Sequence, residues 1–235
     1  MLRHPHEIVK WFEEEVAHYT GAKYAVAVDN CTNAIRMCCE YLQVKEVTIP
    51  SKTYLSVPQS IIQAGGRVKL EELEWQGIYQ LKPYPIYDAA KRFTSEMYIE
   101  GTLMCLSFGI KKNLKLGKGG MILTDDIDAV EALKKLRWSG RHESTPMPED
   151  EVNDMGYNGY ITPEWAARGL MLLSVYPEHY PDQHEEGGYP DLAGYGFMKK
   201  IIYVDIDGTI SHNPELPDFG DRHADYKKAA PLTDR

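Results

Sequence analysis

Between positions 6 and 19, Ile8, Trp11, Phe12, Val16 and Tyr19 recur at helical spacing with glutamates on the other face, and Gly21 is a stop signal. A short apolar strand, 23–28, runs through the polar turn Asp29-Asn-Cys-Thr-Asn33 into a second helix, 33–41. The pattern then predicts a strand over 44–49, a helix over 57–64 closed by Gly65 and Gly66, and a strand over 67–70. Residues 71–83 are poorly patterned, and 85–88 reads as a strand ending in Asp88. Apolar runs at 102–108 and 121–124 predict two further strands, separated by a glycine- and lysine-rich loop. Amphipathic helices are expected over 125–138, capped by Asp125 or Asp126, and over 163–173, where Pro163 occupies a permitted first-turn position. A polar loop spans 141–154, and 176–196 lacks periodicity and reads as a tail or linker.

Strands alternating with crossover segments predict an α/β fold, a mostly parallel sheet flanked by helices. Ligands of such sheets bind beyond the carboxyl ends of the strands. Asn30, Thr32, Tyr54, Asp88, Ser107 and Lys112 all fall at or just past those ends. The strand–turn–helix at 28–33 presents free backbone N–H groups, a ready anion site, where Thr32 can cap the helix or touch a phosphate. A serine at a strand end, followed five residues on by Lys112 in a glycine-rich loop, suits phosphate binding beside a lysine that forms a Schiff base with an aldehyde cofactor.

Composition narrows the picture. The 235 residues are enough for one sizeable domain and at most two small ones, and 43% hydrophobic content supports a real core. A net charge of -9 and the lack of a basic run argue against nucleic acid as a partner. With no bilayer-length apolar stretch and no secretory h-region, a cytoplasmic protein that does not engage a membrane is expected. Cys31, Cys38, Cys39 and Cys105 have no paired ligand spacing, so reduced, mostly buried thiols are expected and structural zinc is not.

Residues 11–173 resemble the large domain of the DegT/StrS-type sugar aminotransferases. The resemblance rests on Phe12 to Val28, Asn30-Cys-Thr-Asn-Ala-Ile35, Ile49-Pro-Ser-Lys-Thr-Tyr54, Tyr87-Asp-Ala-Ala-Lys91, Ser107-Phe-Gly-Ile-Lys-Lys-Asn-Leu114, Gly117-Lys-Gly-Gly120 and Gly156-Tyr-Asn158, in the family's order. It implies the aspartate-aminotransferase-like fold (fold type I of the PLP-dependent transferases) in a shortened form. It also implies transamination of a nucleotide-linked keto sugar, a reaction of polysaccharide biosynthesis, with an amino acid such as glutamate as donor. Carried over, Lys112 is the Schiff-base lysine, with Lys111 and Lys115 as neighbours that a register error could confuse with it. Asp88 pairs with the pyridine nitrogen of pyridoxal 5′-phosphate and Tyr54 stacks on the ring. Cys31 and Thr32 backbone amides and the Ser107 hydroxyl hold the phosphate, and Lys91 stands near the phenolic oxygen. Asn158 matches an asparagine that reaches the neighbouring subunit's phosphate, implying a homodimer with shared sites. The chain departs from the family at Cys31, at Lys91 in place of glutamine and at Lys118 in place of an acid. The segment between Leu70 and Asp88 is short, and the C-terminal small domain has no counterpart. A minimal large domain over 1–175 follows as the expectation, with a catalytically impaired PLP-binding or regulatory homologue as the alternative.

From Met198 the texture changes to a strong apolar strand ending in Asp205-Ile-Asp-Gly-Thr209. This resembles the first motif of haloacid-dehalogenase-type (HAD-like) phosphatases, implying Asp205 as nucleophile, Asp207 as acid/base and Mg²⁺ alongside. The later motifs of those enzymes are missing, so 198–235 reads as a truncated second domain joined by the linker 176–197, and a phosphatase fragment is a further alternative.

Overall fold

The computed structural model of the protein describes residues 6–184 and 188–196. The HAD-like segment, with Asp205 and Asp207, lies outside the described residues. One compact unit runs to Leu192. Its five-stranded sheet has the order β1 (Tyr24–Val28), β7 (Gly120–Thr124), β6 (Leu103–Ser107), β5 (Ile86–Asp88) and β4 (Tyr79–Gln80). A second, two-stranded ribbon pairs β2 (Glu46–Pro50) with β3 (Arg67–Glu71) in parallel. Thr48 and Lys82 join the two sheets through reciprocal N–H···O bonds of 2.8 and 3.1 Å.

The sheet is mixed rather than mostly parallel. β7 is antiparallel to both β1 and β6, β4 is antiparallel to β5, and β5–β6 is the parallel pair. A parallel return needs a long crossover, usually a helix. The loop between β6 and β7 has none and closes on itself, Phe108 N–H bonding Gly119 O at 2.9 Å and Gly117 N–H bonding Phe108 O at 3.0 Å. The chain must therefore reverse. β1, β5 and β6 still share one direction, and the antiparallel link at Thr48–Lys82 gives β2 the same one. Val28, Pro50, Asp88 and Ser107 consequently end on the same edge.

Helices cover both faces because the strands alternate. Val26, Val28, Cys105 and Ile122 share one core with α2 (Cys31–Tyr41), α3 (Ser56–Gln63) and α4 (Ile127–Arg137). Ala25, Ala27, Met104, Leu106, Met121 and Leu123 face the other way, into a core with α1 (Glu7–Thr20) and α5 (Pro163–Leu173). That period of two sends alternate side chains of each strand under opposite helix layers. Gly169 lets α5 close on α1, since a Cβ there would lie 2.5 Å from the Phe12 ring.

Two expectations change. The glutamates of α1 do not all face water: Glu13 is buried, accepting from the Ala27 N–H at 2.9 Å and paired with Arg137 of α4. Residues 176–184 and 188–191 are irregular, in keeping with their lack of periodicity, but lie against the domain. Asp182 accepts two bonds from Arg92 at 2.6 and 2.7 Å, Gln183 N–H bonds Lys91 O at 2.8 Å, and Leu192 is buried with its N–H on Ser51 O at 2.9 Å. All four cysteines are buried free thiols.

Candidate active site

Asp88 closes β5 at 4% exposure, and two neutral donors fix its carboxylate. The Ala90 N–H reaches Oδ1 at 2.9 Å and the Tyr79 hydroxyl reaches Oδ2 at 2.9 Å. Tyr79 stands directly opposite Asp88 in the β4–β5 register, which sets this contact. Thr53 Oγ1 lies 2.6 Å from the Tyr79 hydroxyl. A phenol has one proton. Since Tyr79 gives its proton to Asp88, Thr53 donates to Tyr79, and the chain runs Thr53 to Tyr79 to Asp88. Burial pushes Asp88 above the ordinary carboxylate value, while the Ala90 N–H, the Tyr79 hydroxyl and the charges of Lys112 and Lys91 pull it back. Burial, and next the Asp88 charge, push the Tyr79 phenol well up, so it stays protonated and able to donate.

Lys112 is half-buried on the glycine-rich loop, whereas Lys111 and Lys115 are exposed. Its charge acts on both Asp88 and Cys31. Its side chain turns beside Ser107: a Cβ on Gly109 would lie 3.7 Å from Lys112 Cγ and 3.8 Å from Ser107 Oγ. Of the three neighbouring lysines, Lys112 is the one whose charge acts on Asp88.

The N-terminus of α2 meets the same edge. Asn30 caps it, Oδ1 accepting from Asn33 N–H at 2.8 Å, so the cap is Asn30 and not Thr32. Thr32 instead shares a hydrogen bond of 2.9 Å with Ser56 Oγ. The helix offers no acceptor to the Cys31 and Thr32 N–H groups, which lie in its first turn. Cys31 directs its thiol to Cys105 O at 3.5 Å, into the core and away from that turn. Gly120 makes room for the turn: a Cβ there would meet Asn30 C at 2.6 Å and Cys31 N at 2.7 Å, closer than atoms can pack. Gly120, the first residue of β7, thus lets the helix start lie against that strand.

Other candidates sit further out. Tyr54 is 55% exposed, its ring 6.5 Å from that of Tyr189. Lys91 is buried, with Nζ 5.5 Å from the Tyr189 ring centre. A cavity of ≈ 240 Å³ adjoins on that side, lined by Lys52, Trp75, Lys91, Gln183, His184 and Tyr189 among others. Lys91, whose charge acts on Asp88, lines it, whereas Asp88 and Lys112 do not. Asn158 is not brought into this cluster; it is exposed and bridged to Trp138. Sequence reasoning missed Tyr79 and Thr53. The alternation of inward Tyr79 and Leu81 was the available signal, interrupted by Gly77 and Pro83.

The donor set fits pyridoxal phosphate. A buried carboxylate, a lysine within its field and a helix N-terminus with a hydroxyl match ring nitrogen, aldehyde and phosphate respectively. Among the described residues no cluster of metal-ligating side chains is present, and no helix is long and apolar enough to cross a membrane.

A mixed sheet between helical layers, with these groups on one edge, is the fold of the PLP-dependent transferases of fold type I. Solved structures carry the same fold: AtS13 from Actinomadura melliaura (TM-score 0.65, 18% identity) and the sugar aminotransferase CalS13 from Micromonospora echinospora (TM-score 0.63, 16% identity). Each match covers 72% of this chain and 60% of the other. The profile of the DegT/DnrJ/EryC1/StrS aminotransferase family matches residues 2–99 and 86–180, and the chain belongs to that family. It is 26% identical to the GDP-perosamine synthase of Caulobacter vibrioides, over 84% of this chain and 65% of that protein. It is also 26% identical to the spore coat polysaccharide biosynthesis protein SpsC of Bacillus subtilis, over 92% and 66% respectively. The chain thus spans about two thirds of the length of these relatives.

Proposed function

We propose that the chain binds pyridoxal phosphate and transaminates a nucleotide-linked keto sugar with an amino acid donor, as a cytoplasmic homodimer with shared sites. The observation that carries this reading is the buried Asp88 carboxylate within the field of Lys112, on the sheet edge where α2 begins. The family and the sugar-biosynthetic relatives support the substrate class. The catalytic residues are Lys112 and Asp88. When bound, the cofactor supplies an aldehyde that condenses with a lysine amine and a ring that takes up an electron pair. Asp88 would keep a proton on the ring nitrogen. Lys112 Nζ would attach the cofactor and, once the donor's amine has displaced it, would take the proton from the donor's α-carbon and deliver it to the carbon that was the aldehyde. The Cys31 and Thr32 amides and the Ser107 hydroxyl would bind the phosphate, Tyr54 and Lys91 would bound the ring, and Asn158 would serve the partner's site.

Mixing purified protein with pyridoxal phosphate tests this directly. A cofactor-dependent absorbance band that survives gel filtration is expected, and it should vanish in Lys112→Ala but persist in Lys111→Ala. A band of equal strength in Lys112→Ala would end the reading. The short segment between Leu70 and Asp88 favours one other reading, a cofactor binder without turnover. Glutamate-dependent conversion of the bound cofactor to its pyridoxamine form separates the two.

A further inference from the structure

We propose that Tyr79 is a positioning residue for Asp88, fixing the carboxylate's rotation through a Thr53–Tyr79–Asp88 hydrogen-bond relay so that it presents its remaining lone pairs to a cationic ring nitrogen. The inference deepens the proposed function and rests on it for the identity of that nitrogen. The relay itself does not.

Each Asp88 oxygen accepts one neutral donor, Oδ1 from the Ala90 N–H and Oδ2 from the Tyr79 hydroxyl, both at 2.9 Å. A carboxylate has about four acceptor sites, so two donors on different oxygens fix its plane and leave sites for an incoming donor. Two features make Tyr79 more than packing. Its register partner is Asp88, so backbone pairing delivers the hydroxyl to the carboxylate. The hydroxyl is in turn oriented by Thr53 at 2.6 Å, and all three side chains are buried. Tyr79 stands on the two-residue β4, within the stretch between Leu70 and Asp88 that is short in this chain.

The groups facing Asp88 are few. Tyr79 comes from β4, Lys91 from the turn after β5, Lys112 from the glycine-rich loop, Cys31 from α2 and Cys105 from β6. Burial pushes both thiols well up, so they remain neutral. Of this set, the Tyr79 hydroxyl is the side chain whose removal deletes a hydrogen bond to Asp88 without changing a charge.

Tyr79→Phe retains the ring that packs on Trp75 at 4.7 Å and removes the hydroxyl. In protein without cofactor, ¹³C-NMR of labelled aspartate should place the Asp88 titration midpoint about one pH unit or more higher in Tyr79→Phe, the scale of one hydrogen bond to a charged acceptor. Asp88→Asn assigns the resonance. Thr53→Val should raise the midpoint less, and Thr53→Ser should restore it. In protein loaded with pyridoxal phosphate, the pH at which the cofactor's absorbance changes should move in Tyr79→Phe, whereas a purely structural loss would lower occupancy and leave that pH unchanged. An unmoved or lowered Asp88 midpoint in folded Tyr79→Phe overturns the proposal. Should Tyr79→Phe fail to fold, an unmoved midpoint in Thr53→Val does the same. Wild-type protein that takes up no cofactor overturns the functional reading alone, because the relay is read without it.

Discussion

Two carboxylates are buried to almost the same degree, Glu13 at 5% exposure and Asp88 at 4%, yet they are compensated in opposite ways. Glu13 meets a cation at contact distance, Arg137, which also donates to Ala27 O at 2.6 Å, with Lys134 Nζ 3.7 Å away. Its charge is spent inside the fold, tying α1, β1 and α4 together. Asp88 is held by a phenol and an amide, and Lys112 and Lys91 act on it as nearby charges. Its charge is desolvated and oriented, with acceptor capacity left over. The first arrangement makes structure; the second leaves acceptor capacity that, on the proposed reading, a cationic ligand atom takes up. Burial alone does not tell the two apart, and the chemistry of the contacting donors does.

The largest expected effect comes from breaking the first arrangement. Glu13→Ala leaves the buried Arg137 guanidinium with Glu143 as its remaining carboxylate partner, and the Ala27 N–H loses its acceptor. Removing one member of a buried pair costs about 3–5 kcal/mol. Urea unfolding should show a loss on that scale with an unchanged slope. A loss below about 1 kcal/mol, the worth of an exposed pair, would mean that Glu13 is not the anchor described.

These two carboxylates also mark where the sequence is readable. The Asp88 neighbourhood was legible because strand ends, a serine–lysine spacing and glycines are local signals; helix α5 was readable to the residue because Pro163 marks its start. Glu13 was not, because it sits in a run of three glutamates that reads as a solvated face, and its partner Arg137 is 124 positions away. β4 was harder to read for another reason: its two residues with Leu81 beyond give only one repeat of a period of two between Gly77 and Pro83, so Tyr79 looked like loop. The mixed sheet direction was written in the lack of a helix between β6 and β7, and counting strand–crossover repeats overlooked it. Residues 176–184 have no period to read, since side-chain anchors such as Asp182 and Gln183 hold them in place of a regular element.

The second arrangement should respond in the opposite sense. Burial raises Asp88 above its ordinary value of 3.8. A group raised in the folded state binds its proton more tightly there than in the unfolded chain. Its contribution is fully present below 3.8 and is lost as pH climbs through the raised folded value. Asp88→Asn removes that loss. Its Nδ2 can donate to Tyr79, whose proton then turns to Thr53, so the relay reverses without orphaning a group. At low pH the variant and wild type should be equally stable. Across the window above 3.8 the variant should gain, at no more than about 1.4 kcal/mol per pH unit, the slope for one proton. Activity should fall about 10²-fold or more, the scale of removing one preorganised electrostatic stabiliser. Denaturant curves at several pH values read the first effect, and the glutamate half-reaction reads the second. Destabilisation at neutral pH would place Asp88 with Glu13 as a structural charge.

A third carboxylate separates bond type from burial. Asp182 binds Arg92 through two bonds of 2.6 and 2.7 Å, as direct a pairing as that of Glu13, but the two side chains are 13% and 30% exposed. Water shares in their solvation and screens the pair, so its net worth should be that of a surface bridge, about 0.2–1 kcal/mol. Asp182→Asn should therefore barely move the unfolding midpoint. Its effect should be local, because Gln183 still bonds Lys91 O and Lys111 O, and Asn113 still donates to Pro181 O. Amide exchange over 176–184 should quicken while exchange in β6 and β7 stays as it was. A global loss matching that of Glu13→Ala would mean that the guanidinium–carboxylate bond itself, rather than the water excluded from it, decides what such a pair contributes in this fold.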